Sequence, residues 1–165
     1  VQKGFWKRIY ELRSPESVGS PAEVFAILRF PSLFRERAEV EFAEGRWTLE
    51  RSGILKWKVA VREMGSDSVQ ATFQVQRRGE GTVRFHDTRR FFWKRSGFWS
   101  PRWFLRTEAG EDLASVKRVL GFLRDRVRID LMGSAVSRPE LPILLALGSY
   151  IVILDARRSA AGAAH

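Results

Sequence analysis

Two histidines, His86 and His165, and no cysteine at all narrow the catalytic chemistry open to this chain. A Ser-His-Asp triad would have to recruit His86, yet no G-x-S-x-G elbow is present to offer the nucleophile. His86-Asp87 reads instead as solvent-exposed turn chemistry. Without cysteine the chain can form no disulfide, thiolate zinc site or iron–sulfur cluster, and it has no thiol nucleophile. The densest acidic run, Glu36, Glu39, Glu41 and Glu44, is interleaved with Arg35 and Arg37, and Glu39 and Glu41 fall on the wet face of a strand; this is a solvated face rather than a metal site. Neither an H-E-x-x-H pair nor an acidic calcium loop occurs. Gly79-Glu80-Gly81 lacks the lysine and the following helix of a phosphate loop, so a hairpin turn is the better account. The expectation is a chain that is not an enzyme and holds neither cofactor nor metal.

Residues 84–106 carry the strongest local signal. Seven basic side chains, Arg84, Arg89, Arg90, Lys94, Arg95, Arg102 and Arg106, stand against Asp87 alone, which places +6 of the chain's net +10 in this stretch. Eight aromatics are interleaved with them, and most must be core. Phe98 and Trp99 are the exceptions to suspect, because Gly97 precedes them and Ser100-Pro101 follows, as at a hairpin tip. An exposed Phe-Trp tip among cations suits insertion at an anionic lipid interface. The competing reading folds the tip over one end of the domain and leaves the arginines solvated. Composition adds a caution, since 23 Arg against 6 Lys also arises from a GC-rich genome. Stacking on single-stranded nucleic acid would use the same residues, without any recognisable RNA-binding signature beside them.

The elements that must position these residues show a period of two. Val40 and Phe42, Trp47 and Leu49, Trp57, Val59 and Val61, and Val69, Ala71, Phe73 and Val75 alternate with polar neighbours, and Val127, Ile129 and Leu131 repeat the pattern. Glu44-Gly45, Ser52-Gly53, Gly65-Ser66, Ser96-Gly97 and Ala109-Gly110 supply turns between them. Leu113 to Leu123 fits either helix or strand, and strand is preferred. A weak repeat aligns VEFAEGRWTLERSG from Val40 with VRFHDTRRFFWKRSG from Val83, with V-x-F at an offset of 43 and R-S-G at an offset of 44.

One segment breaks this pattern. Leu141 to Leu154, LPILLALGSYIVIL, has no charge and as a helix spans about 21 Å, short of the roughly 30 Å of a bilayer core. No transmembrane span is therefore expected, although a re-entrant anchor is an alternative. A helix that is apolar all round needs apolar atoms on every side, and an amphipathic sheet supplies them by closing around it. Pro139 and Pro142 suit a helix beginning near Glu140, and Arg157 and Arg158 suit its C-terminal dipole. The expected fold is mainly β: a closed antiparallel β-barrel of many short strands enclosing a C-terminal hydrophobic helix at about residues 140–155. One domain over residues 1–158 and a disordered tail over 159–165 complete it.

The hairpin cadence from Glu39 to Glu108 and the helix LP-x-LL-x-LGSYIVIL resemble the group formed by the Tubby C-terminal domain, the LURP-one-related proteins and the phospholipid scramblases, over roughly residues 9 to 154. The resemblance implies a twelve-stranded barrel around a central helix, with no enzymatic activity as a general property. It also implies phosphoinositide contacts through basic residues in Tubby members, and palmitoylated cysteines with calcium in scramblases. This chain has no cysteine, no D-x-D-x-D loop and no segment matching the phosphoinositide motif, so no functional residue carries over. The functional expectation is a non-enzymatic binding or scaffold domain associating with anionic phospholipid surfaces through Arg84, Arg89, Arg90, Lys94, Arg95, Phe98, Trp99 and Arg102. A nucleic-acid-binding barrel driven by net charge is the alternative. The opening VQKGFWKRIYELR lacks the pattern of a secretory signal, and the expected location is the cytoplasm, peripheral at the membrane.

Overall fold

The computed structural model describes residues 8–13, 23–31, 36–77, 79–99, 101–119, 126–132, 135 and 137–162. Eleven strands follow one another in a single antiparallel sheet whose spatial order is the chain order. They are β1 (Arg8–Arg13), β2 (Val24–Phe30), β3 (Arg37–Phe42), β4 (Gly45–Ser52), β5 (Lys58–Glu63), β6 (Val69–Val75), β7 (Gly81–Phe85), β8 (Arg90–Ser96), β9 (Arg102–Thr107), β10 (Asp112–Val119) and β11 (Arg126–Leu131). The first and last strands come within 8 Å of each other, so the meander bends into a nearly closed barrel. The resemblance implied twelve strands; eleven lie among the described residues.

Alternation in the sequence becomes an inside and an outside. Ala38, Val40 and Phe42 of β3, Val59 and Val61 of β5, and Ala71, Phe73 and Val75 of β6 are buried, while their neighbours face outward. The ambiguous stretch after Asp112 is strand to Val119, paired with β9 on one side and β11 on the other. Residues 120–123 of that stretch lie outside the described residues.

Among the described residues one α-helix, α1 (Leu141–Gly162), fills the barrel. From Leu141 to Leu154 every residue but Pro142 is buried. Pro142 is the second helical residue, where its missing N–H costs no helical hydrogen bond. Close approach to the wall is made at Gly148, where a Cβ would stand 2.8 Å from the ring of Trp93. Trp93 stacks on Trp103 with centroids 5.6 Å apart. The ring of Tyr150 lies parallel to that of Phe30 at 5.9 Å, and its hydroxyl donates to the backbone carbonyl of Glu36.

The helix runs further than the expected boundary near 155. Asp155 to Gly162 leave the barrel and stay helical, as alanine-rich sequence favours, with Ser159 Oγ donating to the Asp155 carbonyl at 3.0 Å. Ser159 to Gly162, expected in the tail, are thus helical and exposed, and 163–165 lie outside the described residues. No helix among the described residues is long and apolar enough to cross a membrane.

Candidate functional site

An antiparallel meander sends alternate turns to opposite rims. The helix enters at one rim, called the lower, where Glu140 pairs with Arg89 of the β7–β8 turn and Arg138 with Glu111 of the β9–β10 turn at 3.4 Å. It leaves at the other, the upper rim, where Arg158 reaches Glu36 at 3.1 Å and the Arg157 guanidinium covers the Phe30 ring at 3.9 Å. The turns after β4, β6 and β8 therefore all belong to the upper rim.

The basic residues of 84–106 do not gather into one patch. Arg84 stands opposite Arg90 beside the lower rim, and Arg90 is paired with Glu108. Arg89 donates to Asp87 through Nε at 2.8 Å as well as pairing with Glu140. Its hydrogen bond to Asp87 holds that carboxyl below the ordinary range. Arg106 is bound by Asp112. Lys94, Arg95 and Arg102 point toward the upper rim. Lys94 lies 3.8 Å from Glu80, and the Arg95 guanidinium sits 5.3 Å from the centre of the Trp103 ring. Arg102 has no ion-pair partner among the described residues. Of the eight residues singled out in the sequence, the structure brings together Lys94, Arg95, Phe98, Trp99 and Arg102, and sends Arg84, Arg89 and Arg90 to the other rim.

Phe98 and Trp99 stand clear of the barrel, 83% and 93% exposed, with their rings edge to face at 5.5 Å. The tip is not folded over the barrel end. Gly97 precedes it in the left-handed region, at φ 84°, which turns the chain outward. Among the described residues only two other large apolar side chains are comparably bare: Ile54 at 89% and Leu55 at 92%, in the β4–β5 loop of the same rim, whereas the remaining exposed ones there reach no more than 44%. Neither charge nor aromaticity marks Ile54 and Leu55 in the sequence; the signal that finds them is the R-S-G repeat, which they follow as Phe98 and Trp99 do.

The two rims differ in charge. Lower-rim turns carry Glu44, Asp67, Asp87, Glu108 and Glu111. At the upper rim Lys56, Lys58, Arg77 and Arg102 have no ion-pair partner among the described residues, while Glu80 is engaged by Lys94 and by the Arg95 backbone N–H at 3.0 Å, and Glu36 by Arg51 and Arg158.

Other places hold less chemistry. His86 is an exposed turn residue whose Nδ1 lies 3.4 Å from the Gln70 carbonyl, with no serine nucleophile bonded to it among the described contacts. Toward the lower rim a cleft of about 920 Å³ opens between β2, β3, β11 and the start of α1, lined by Phe25, Phe42, Ile129 and Leu145 among others. Its Glu41 already accepts from Arg29 at 2.9 Å and Arg46 at 3.2 Å, and the Arg29 hydrogen bond chiefly holds that carboxyl below its usual range. Among the described residues no group of three or more His, Asp or Glu side chains is placed to hold a metal ion.

No protein-family model matches the chain, and neither does any curated protein or solved structure.

Proposed function

We propose that this chain is a non-catalytic binding domain that docks on anionic phospholipid surfaces through its upper rim, as a peripheral protein of the cytoplasmic face. The observation that carries this reading is the bare Phe98-Trp99 tip, which the fold leaves in water although burying such side chains is worth roughly 1.5–3 kcal/mol each. Aromatics of this kind partition into the headgroup boundary, and each nearby cation adds about 1 kcal/mol at an anionic surface. Arg102 and Lys94 flank the tip, and most of the described turn carboxylates lie at the far rim while Glu36 and Glu80 of this rim are already engaged by cations, so the charge favours the same rim for approach. The reading places the barrel around a central apolar helix beside the Tubby, LURP-one-related and scramblase group and takes no residue from it.

Co-sedimentation with vesicles of phosphatidylglycerol and phosphatidylcholine, against phosphatidylcholine alone, tests it. Binding is expected to the anionic vesicles, to weaken with added salt, and to fall by about tenfold or more in Phe98→Ser/Trp99→Ser. Equal binding to both vesicles, or none, overturns the reading. A salt-sensitive gel shift of an oligonucleotide without vesicle binding would establish the nucleic-acid alternative in its place.

A further inference from the structure

Resting on that reading, we infer that the lipid-docking device is duplicated: the β4–β5 loop is a second insertion tip, and it and the β8–β9 tip enter one anionic bilayer together, holding the barrel with its upper rim down. The two loops share a sequence motif and several contacts, although the tryptophans involved are not at equivalent positions. Arg51-Ser52-Gly53-Ile54-Leu55 matches Arg95-Ser96-Gly97-Phe98-Trp99, and the strands before the loops end at Ser52 and Ser96 while those after begin at Lys58 and Arg102. In both the arginine guanidinium packs on a tryptophan, Arg51 on Trp57 at 4.9 Å and Arg95 on Trp103 at 5.3 Å. In both the serine stands opposite a cation across the hairpin, Ser52 facing Lys58 and Ser96 facing Arg102. In both the glycine has φ 84°, and the two residues after it are large, apolar and bare. A Cβ on Gly53 would stand 3.1 Å from the Lys56 carbonyl, so the loop is held in this form by close packing as well as by its φ.

The meander puts both loops on the upper rim, four strand spacings apart, which is about 19 Å across the wall. Arg77, in the β6–β7 turn, lies between them with no acidic partner among the described residues, and Lys56 and Lys58 flank the first tip as Arg102 flanks the second. Bare apolar tips ringed by cations match an anionic bilayer, whose headgroups take the cations and whose acyl boundary takes the side chains; a protein partner would be expected to meet a continuous apolar face instead. Once one tip is inserted, the second enters at high effective concentration, so the pair binds more tightly than either alone.

The chain has no cysteine, so single introduced thiols can each carry an environment-sensitive dye on the full-length protein. Leu55→Cys, Phe98→Cys and, at the lower rim, Ala109→Cys are labelled and mixed with phosphatidylglycerol–phosphatidylcholine vesicles. Emission is expected to move to shorter wavelength at 55 and at 98, with shielding from an aqueous quencher, and to stay unchanged at 109. Ile54→Ser/Leu55→Ser is expected to weaken vesicle binding by about tenfold or more, with circular dichroism unchanged. A response at 98 with none at 55 overturns the second tip and leaves the proposed function standing. No response at either overturns both, and an equal response at 109 overturns the end-on orientation.

Discussion

Replacing Gly148 by alanine tests whether α1 truly runs through the barrel. In a helix exposed to water the change stabilises by about 1 kcal/mol, because alanine loses less backbone freedom than glycine. Here the new Cβ would meet Trp93 at 2.8 and 2.9 Å and Val116 at 3.4 Å, where carbon atoms prefer roughly 3.5–4.0 Å. Trp93 is 1% exposed and stacked on Trp103, so it cannot swing away without moving a second indole. Overpacking of this kind costs about 1–3 kcal/mol, and after the helix gain of about 1 kcal/mol is subtracted the expected net loss is up to about 2 kcal/mol. At about 2–4 °C per kcal/mol for a domain of this size, thermal melting followed by circular dichroism should show a Tm lowered by up to roughly 8 °C. Gly162→Ala is the control: its Cβ meets nothing within 4 Å, so Tm should hold or rise slightly. A Gly148→Ala protein that melts at or above the parent temperature, as Gly162→Ala does, would refute the buried passage of the helix past Trp93.

Tyr150 gives a pH-dependent test. Burial first and the Glu36 carboxylate second push its phenol above the ordinary value of 10.0. Above that pH the unfolded chain releases the proton while the folded one keeps it, so stability falls by up to about 1.4 kcal/mol per pH unit. Tyr150→Phe should remove this contribution to the alkaline limb in urea unfolding, and should cost about 1–3 kcal/mol at neutral pH by stranding the Glu36 carbonyl; parallel alkaline limbs in parent and variant would contradict it. Glu140 is 5% exposed at the start of α1 and Arg89 is its ion-pair partner, so Arg89→Ala should destabilise by about 1–2 kcal/mol, less than a fully buried pair because Arg89 is 44% exposed. Unchanged urea midpoints would show that solvent reaches Glu140 freely.

The wall and its filling were legible in the sequence because both rest on short-range pattern. Lys58, Val59 and Val61 declare an inside and an outside within four residues, and the uncharged run from Leu141 to Leu154 can be satisfied only by enclosure. The helix end was not legible, since after Leu154 nothing is buried and continuation to Gly162 depends on alanine propensity and on contacts such as Arg158 with Glu36, far away in sequence. The basic cluster misled for a related reason. A seven-residue strand such as β8 is about 23 Å long, so Arg90 and Arg95 within one strand reach opposite rims, and contiguous charge in sequence becomes divided charge in space. Glu140 and Arg89 meet by the opposite route, from 51 residues apart in sequence.

The same topology decides which apolar residues concern the fold and which concern something outside it. Ile54, Leu55, Phe98 and Trp99 bury almost none of their surface, so the barrel gains little from their being apolar, and a left-handed glycine holds each pair away from the core that would otherwise take it. Two loops separated by 44 residues share this arrangement, each with its arginine on a nearby tryptophan, and strand parity sets them on one rim. At that rim Arg158 is held by Glu36 and Arg157 lies on the Phe30 ring, whereas Lys56, Lys58, Arg77 and Arg102 have no ion-pair partner among the described residues. On the proposed reading, the bare apolar loop tips and the cations without an ion-pair partner among the described residues mark the upper rim as the docking end, and the inside of the barrel needs none of them.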